Sequence, residues 1–521
     1  MRLLVPIILV LTLVAACTGT PTPSAGGRPD NTALVLAEAT EPAALNPLAG
    51  YAPDGSAKIF DGLLEHAADG SVKPVLAKAL PEVSADGKSW TITIPAGIKF
   101  SNGAPLTVAD VLATYRALLD PVVASPLRAR YSMLTAVDQV DAGTVRFDLA
   151  YPYAPFPQLL TLGILPATSL TPAVPVGRSP IDTKPIGTGP YVLASWTKGR
   201  SMVLTANPTY FGGAPKVKRV TVEFAADDAT RAADLRAGKL DGAAVSPEQA
   251  ATFAQSNAFN ILTDPSSDLR AITLPAHAAA TSDPAVRLAL NLAVNRASLV
   301  TRELNGHGSA AITPMPTVLP EFIEPDATLA YDPDRAENLL QTGGWLPGPD
   351  GIRARDGVTA AITLDYPTGD TLDKALAEAF ATSAQEIGVK VTTVALPPDQ
   401  VSARQGADAT LISTGDPFDP DLGLYNLLDS TSGGDPTGYA DPAVDTALNT
   451  GRHSIDPAQR AVAYRAFQRA YLADPAMVTL AFTDHFYVMR ANWNGYQQVV
   501  DANTQDTTWG PWWNLNAWVP K

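Results

Sequence analysis

Only one cysteine occurs in the 521 residues, and that scarcity excludes whole classes of chemistry at the outset. Intramolecular disulfides need a pair and a thiolate-rich metal centre needs several, so the chain can have neither. Histidine is nearly as rare: His66, His277, His307, His453 and His485 are the full set, and no two stand at ligand spacing on one helix. Metal ligation by scattered histidines stays open, although surface or helix-end placement is the simpler reading. No H-E-x-x-H, G-x-S-x-G or P-loop pattern is present, so no nucleophile with its base announces itself. Positive charge is also in short supply. The 37 Lys and Arg against 52 Asp and Glu leave a formal net charge of −15. That balance argues against nucleic acid, whose phosphates need a basic surface. It suits solubility and is weakly compatible with a cationic or zwitterionic ligand.

The chain also lacks an apolar run long enough to span a bilayer, which takes about 20 residues. Its nearest approach is Leu3 to Ala16, preceded by the single positive charge of Arg2. This has the length and flanks of a signal-peptide core. The run ends Leu13-Val14-Ala15-Ala16-Cys17, similar to a bacterial lipobox, in which small residues precede a cysteine that is lipidated and becomes the new N-terminus. The expectation is therefore a signal peptide at 1–16 and a lipid on Cys17. Residues 17–31, rich in Thr, Pro, Ser and Gly and without apolar periodicity, read as a flexible tether. The remainder of the chain, from residue 32 on, is long enough for two or three lobes.

Helices are marked by their caps. Thr107-Val108-Ala109-Asp110 has capping-box spacing, and Val108, Val111, Leu112, Tyr115 and Leu119 form one face behind it. Asp-Pro pairs at Asp283-Pro284, Asp332-Pro333 and Asp456-Pro457 each put a capping carboxylate before proline at the first helical position. The first of these predicts one helix running to Gly306. Leu372, Leu376, Phe380, Ala384 and Ile387 mark another, ended by Gly388 and leading into the strand Val389 to Thr392, a unit of an α/β sheet. Further strands are expected at 33–37, 90–94, 144–149, 202–205, 219–224 and 478–482. The turn-rich Asp264-Pro265-Ser266-Ser267-Asp268 and the returning strand near Leu480 to Tyr487 read as two crossings between lobes.

Three stretches invite a functional reading. Gly187-Thr188-Gly189-Pro190-Tyr191 suggests a phosphate cradle, but Pro190 removes a backbone donor, so a tight structural turn is preferred. Asp416-Pro417-Phe418-Asp419-Pro420-Asp421 admits a calcium loop or a glycosidase carboxylate pair. Two prolines stiffen it and the glycine of an EF-hand is missing, which leaves a solvated loop with capping aspartates, or a carboxylate at the mouth of a cleft that receives an ammonium group. Trp509, Trp512, Trp513 and Trp518 in the tail suit stacking on a planar ligand. Interleaved Leu515 and Val519 favour core and lobe-closing packing instead.

Taken in order, these pieces resemble the peptide/nickel-binding family (bacterial family five) of extracytoplasmic solute-binding proteins of ABC transporters, over nearly the whole mature chain. The likeness rests on Leu45-Asn46-Pro47, Ile59-Phe60-Asp61-Gly62-Leu63-Leu64-Glu65 and Ile98-Lys99-Phe100-Ser101-Asn102-Gly103, then on Leu106 to Val111. It continues through Pro185 to Tyr191, Asn207-Pro208-Thr209-Tyr210, Val286 to Leu290 and Tyr331-Asp332-Pro333 to Trp345. The resemblance implies an α/β, two-lobed periplasmic-binding-protein-like fold (type II, cluster C). Lobe I would be 32–266 with an inserted subdomain at about 52–180, lobe II 267–482, and 483–521 a return to lobe I. Ligand would bind between the lobes and favour closure about the hinge.

The resemblance also implies a ligand contact. Thr414-Gly415-Asp416-Pro417-Phe418-Asp419-Pro420 matches the segment whose aspartate accepts a peptide α-ammonium. That gives Asp416 the role, with Thr414, Phe418 and Asp419 beside it. Ser413 stands where the family often has tryptophan. Tyr366 replaces the arginine that takes a dipeptide's carboxylate, so a longer peptide or another solute gains weight, and Arg353, Arg355 or Lys374 would have to substitute. The implied protein is a monomeric, lipid-anchored receptor on the outer face of the cytoplasmic membrane. It would deliver di- to oligopeptides to an ABC permease, with no enzyme activity, no cofactor, no metal and no nucleic acid. The alternatives are the same role for haem, a nickel chelate or a sugar, a signalling or adhesion protein, and, more remotely, an anchored hydrolase.

Overall fold

The computed structural model describes residues 32–53, 58–502 and 508–521. The expected signal peptide, Cys17 and the tether lie outside the described residues. The chain forms a mixed α/β body built on an 11-stranded sheet whose path runs through both halves of the molecule. Two long strands, Phe259–Thr273 and Met477–Arg490, pair antiparallel from Phe259 opposite Arg490 to Thr273 opposite Met477. On one side of them lie Gly242–Ala244, Ala33–Glu38, Arg219–Phe224, Ser201–Ala206 and Tyr191–Thr197. On the other side lie Ala409–Thr414, Ala361–Pro367 and Lys390–Leu396. Among the described residues the two long strands are thus the only β connections between the halves, and their register shifts between Pro265 and Leu269.

That shift corrects one expectation. The sequence reads Asp264 to Asp268 as a turn-rich crossing, yet the segment lies within a continuous 15-residue strand. Its polar side chains are buried, and two of them find partners on the facing strand: Ser266 donates to the Thr483 carbonyl at 2.6 Å, and Asp268 accepts from the Thr483 hydroxyl at 2.9 Å. Cross-strand hydrogen bonds replace water, so a polar stretch is tolerated inside a sheet. The lobe boundaries expected at 266/267 and 482/483 both fall inside these strands.

Within the first half, Glu82–Val83, Ser89–Thr93, Thr144–Leu149 and Leu134–Gln139 make a separate four-stranded antiparallel sheet. The helix Val108–Leu119 backs it, and the predicted capping box is formed, with Thr107 N donating to Asp110 Oδ2 at 2.8 Å. Its core is aromatic: Phe147 meets Tyr115 edge-on with centroids 4.9 Å apart, and Phe156 at 5.5 Å. The helix expected from Pro284 to Gly306 is two helices, Pro284–Leu292 and Arg296–Glu303. Apolar periodicity continues across the break and hides it. Asn295 makes it, leaving the helical conformation and accepting from Ser298 N at 3.0 Å as a new cap.

Gly187 and Gly189 hold no phosphate cradle. A Cβ on Gly187 would stand 2.0 Å from the Ile59 carbonyl oxygen, and one on Gly189 would stand 2.4 Å from that of Lys58. Glycine is needed there because two backbones pack against each other. Trp509, Trp512 and Trp518 are buried, as the interleaved apolar residues suggest, while Trp513 is half-buried.

Candidate functional site

The loop 415–419 joins the strand Ala409–Thr414 to the helix Pro420–Leu428 and sits where the two halves face each other. Its conformation follows from three local features. Gly415 has positive φ, and a Cβ there would lie 1.9 Å from the Ser267 carbonyl oxygen, so the loop rests directly on the long strand Phe259–Thr273. Asp416 Oδ1 accepts from the backbone N–H of Phe418 at 2.8 Å and of Asp419 at 3.2 Å, which tightens the turn around the prolines. Asp419 caps the helix at Asp421 N, 2.9 Å, and its two oxygens both accept from Arg460 Nη2, at 2.7 and 2.8 Å.

The predicted site residues therefore divide by what they touch. Asp416 has its second oxygen facing the other half, where Arg130 Nη2 stands 3.9 Å from Oδ2, and both side chains keep some exposure. Phe418 is held by the first half: His66 stacks on it at 3.5 Å, Trp509 meets it edge-on at 5.4 Å, and Gln158 donates to its carbonyl at 3.2 Å. Thr414 ends its strand and lines a cavity of about 270 Å³ behind the loop, together with Thr273, Ile412, Gly415, Gly423 and Asn426. Among the described residues no charged side chain lines that cavity. Tyr366 does not line it either; it is buried with Leu364, Leu376 and Phe380 in the second half's aliphatic core.

The suggested replacements for the missing carboxylate contact are occupied elsewhere. Arg353 donates to the Ile387 and Trp345 carbonyls at 2.9 and 3.0 Å, Arg355 pairs with Asp283, and Lys374 reaches Glu378 at 2.6 Å. Arg130 is the cation that geometry brings to Asp416, and nothing in the sequence pairs those two residues. It lies in the 3-10 helix Pro126–Tyr131, far away in the chain, and only the fold joins them.

A family model described as bacterial extracellular solute-binding proteins, family 5, matches residues 71–435. The chain belongs to that family. Among curated relatives, Protein XP55 of Streptomyces lividans is 42% identical over 483 residues, covering 92% of this chain and 89% of its own. The oligopeptide-binding protein AppA of Bacillus subtilis is 27% identical over 416 residues, covering 75% of each. Among solved structures, NikZ from Campylobacter jejuni in complex with Ni(L-His) superposes with a TM-score of 0.84 at 27% identity, over 94% of this chain and 99% of that one. As a family-5 protein the chain is an exported substrate-binding receptor of ABC importers, not an enzyme, and serves peptide or nickel-type ligands and a permease. Its two-lobed α/β fold is that of its structural neighbours.

Proposed function

We propose that this family-5 receptor is lipid-anchored through Cys17 and captures peptides with a free N-terminus, di- to oligopeptides, for its importer. Asp416 accepts the α-ammonium. The observation that carries the reading is the Arg130–Asp416 pair across the cleft, 3.9 Å apart and longer than a tight ion pair. A zwitterionic ligand exchanges that loose pairing for two charge-assisted contacts, its ammonium on Asp416 and a carboxylate or carbonyl oxygen on Arg130. Thr414 and Phe418 shape the walls around the ammonium, and Asp419 holds the loop through Arg460.

A second reading is an amino-acid chelate of nickel, favoured by the likeness to NikZ. Among the described residues no group of three or more His, Cys, Asp or Glu stands ready to hold a metal ion. A metal taken up here would arrive wrapped in its own ligand, whose carboxylate suits Arg130.

Mass spectrometry of whatever co-purifies with residues 32–521, under native and then denaturing conditions, separates the two. A ladder of short peptides released on unfolding establishes the first reading. A single metal-containing mass establishes the second. Anchoring is tested apart from the ligand: Cys17→Ser in the full chain is expected to move the protein from the membrane fraction to the soluble one, and unchanged fractionation overturns it.

A further inference from the structure

A second set of contacts joins the two halves through residues with no part in the Asp416 site. Tyr153, in the segment after the four-stranded sheet of the first half, donates its hydroxyl to Asp421 Oδ2 at 2.7 Å. Asp421 lies in the first turn of the helix Pro420–Leu428 of the second half, and Arg452 closes on it with Nε 2.9 Å from Oδ1 and Nη2 3.1 Å from Oδ2. The Arg452 guanidinium is stacked 3.3 Å over the Tyr425 ring and stands 5.2 Å from that of Tyr153. Its carbonyl accepts from Ala154 N at 3.1 Å, so backbone as well as side chain crosses the gap. Tyr153 and Asp421 are 1% and 3% exposed. Beside them, Gly87 packs so closely on Ile455 that a Cβ would come within 2.7 Å of it.

We infer that Tyr153, Asp421 and Arg452 form a latch that sets the balance between the open and closed receptor, and with it the affinity for every ligand by a common factor. The Asp421–Arg452 pair lies wholly within the second half and persists in either state. The Tyr153 hydroxyl joins it only when the halves meet. A hydrogen bond to a charged, desolvated acceptor is among the stronger ones, so its loss is expected to move the closed-to-open ratio about tenfold towards open. A ligand that binds only the closed form then binds more weakly in proportion to the closed fraction that remains, whatever its chemistry. The latch acts on closure rather than recognition: Tyr153 is a positioning residue, and the inference does not depend on which ligand Asp416 receives.

The test is Tyr153→Phe, which keeps the ring and removes one oxygen. Spin labels on V122C and V462C, both at exposed positions on opposite halves, report the interlobe distance in the protein without added ligand. The expected result is growth of the long-distance population by about tenfold relative to the short one. Tyr191→Phe, which removes a buried hydroxyl with no hydrogen-bond partner among the described residues, is expected to leave the distribution unchanged. A wild-type distribution in Tyr153→Phe overturns the latch. Calorimetric titration with trialanine and with the nickel–histidine chelate supplies the second readout. Whichever probe binds should weaken by the factor the distances predict, and where both bind they should weaken together. Loss of affinity for one probe alone overturns the common factor. If neither probe binds, the ligand assignment is at fault, and the distance measurement still decides the latch.

Discussion

Asp416→Ala is expected to weaken peptide binding at least about 100-fold, a loss near 3 kcal/mol. Two effects combine. The substitution takes the anion away from a ligand ammonium that closure has removed from water, and an unpaired desolvated charge is more costly than the pair was worth. It also removes one of the negative charges that offset the Arg130 guanidinium near an incoming cation. Asp416→Asn refines the reading, because an amide oxygen can still accept from the Phe418 and Asp419 N–H groups that shape the turn. If Asn binds as poorly as Ala while the protein melts normally, the lost charge is responsible. If Asn restores binding, Asp416 works by holding the loop. Unchanged affinity for both variants in a calorimetric titration removes Asp416 from the site. Arg130→Ala is expected to have the smaller effect, since its partner on the ligand is an exchangeable carboxylate or carbonyl.

The sequence showed one wall of this site and hid the other, for a physical reason. Asp416, Phe418 and Asp419 are consecutive or nearly so, and their contacts to one another are local, so a motif can carry them. Arg130 reaches the site from a distant segment of the first half, as Tyr153 reaches Asp421 nearby, and only the folded arrangement of the two halves brings them there. The same division runs through the fold. Caps at Thr107, Asp283, Asp332 and Asp456 are legible because one side chain satisfies a backbone donor two or three residues on. The break at Asn295 is concealed because apolar spacing continues through it. The strand character of Asp264 to Asp268 is concealed because it depends on partners more than 200 positions away, among them Thr483.

Buried charged partners also hold the two long strands together, and His485→Gln is expected to destabilise the protein by about 3 kcal/mol near pH 6. His485 lies on the second crossing strand, with Nδ1 2.9 Å from Asp501 Oδ2 in the tail and Nε2 3.5 Å from Asp268 Oδ2 on the first. Tyr487 donates to the same Asp501 oxygen. Asp268 is further held by Arg270 at 3.0 Å and by the Ser413 hydroxyl at 2.6 Å, and Arg270 continues to Asp373 at 2.6 Å. Burial disfavours a charged imidazole, but hydrogen bonds to Asp268 and Asp501, together with their negative charge, outweigh it and raise the pKa from 6.5 to about 9. A group whose pKa is raised on folding contributes its stability fully below the unfolded value and loses it as pH climbs through the folded one. The wild type should therefore weaken as pH rises from 6.5 through about 9. Asp264, whose carboxyl burial pushes up to about 7, exerts its effect mainly below the upper part of that window, where the histidine proton is lost. In His485→Gln the slope in the upper part of that window should vanish, because no proton remains to be lost at this site, while Asp61 and Asp264, both pushed up to about 7 by burial, still titrate at its lower end. Denaturant titrations of both proteins at pH 6 and across the alkaline window check the two parts together. A flat wild-type profile, or a variant as stable as wild type at pH 6, means that the imidazole is neutral and that Arg270 alone balances the carboxylates around it.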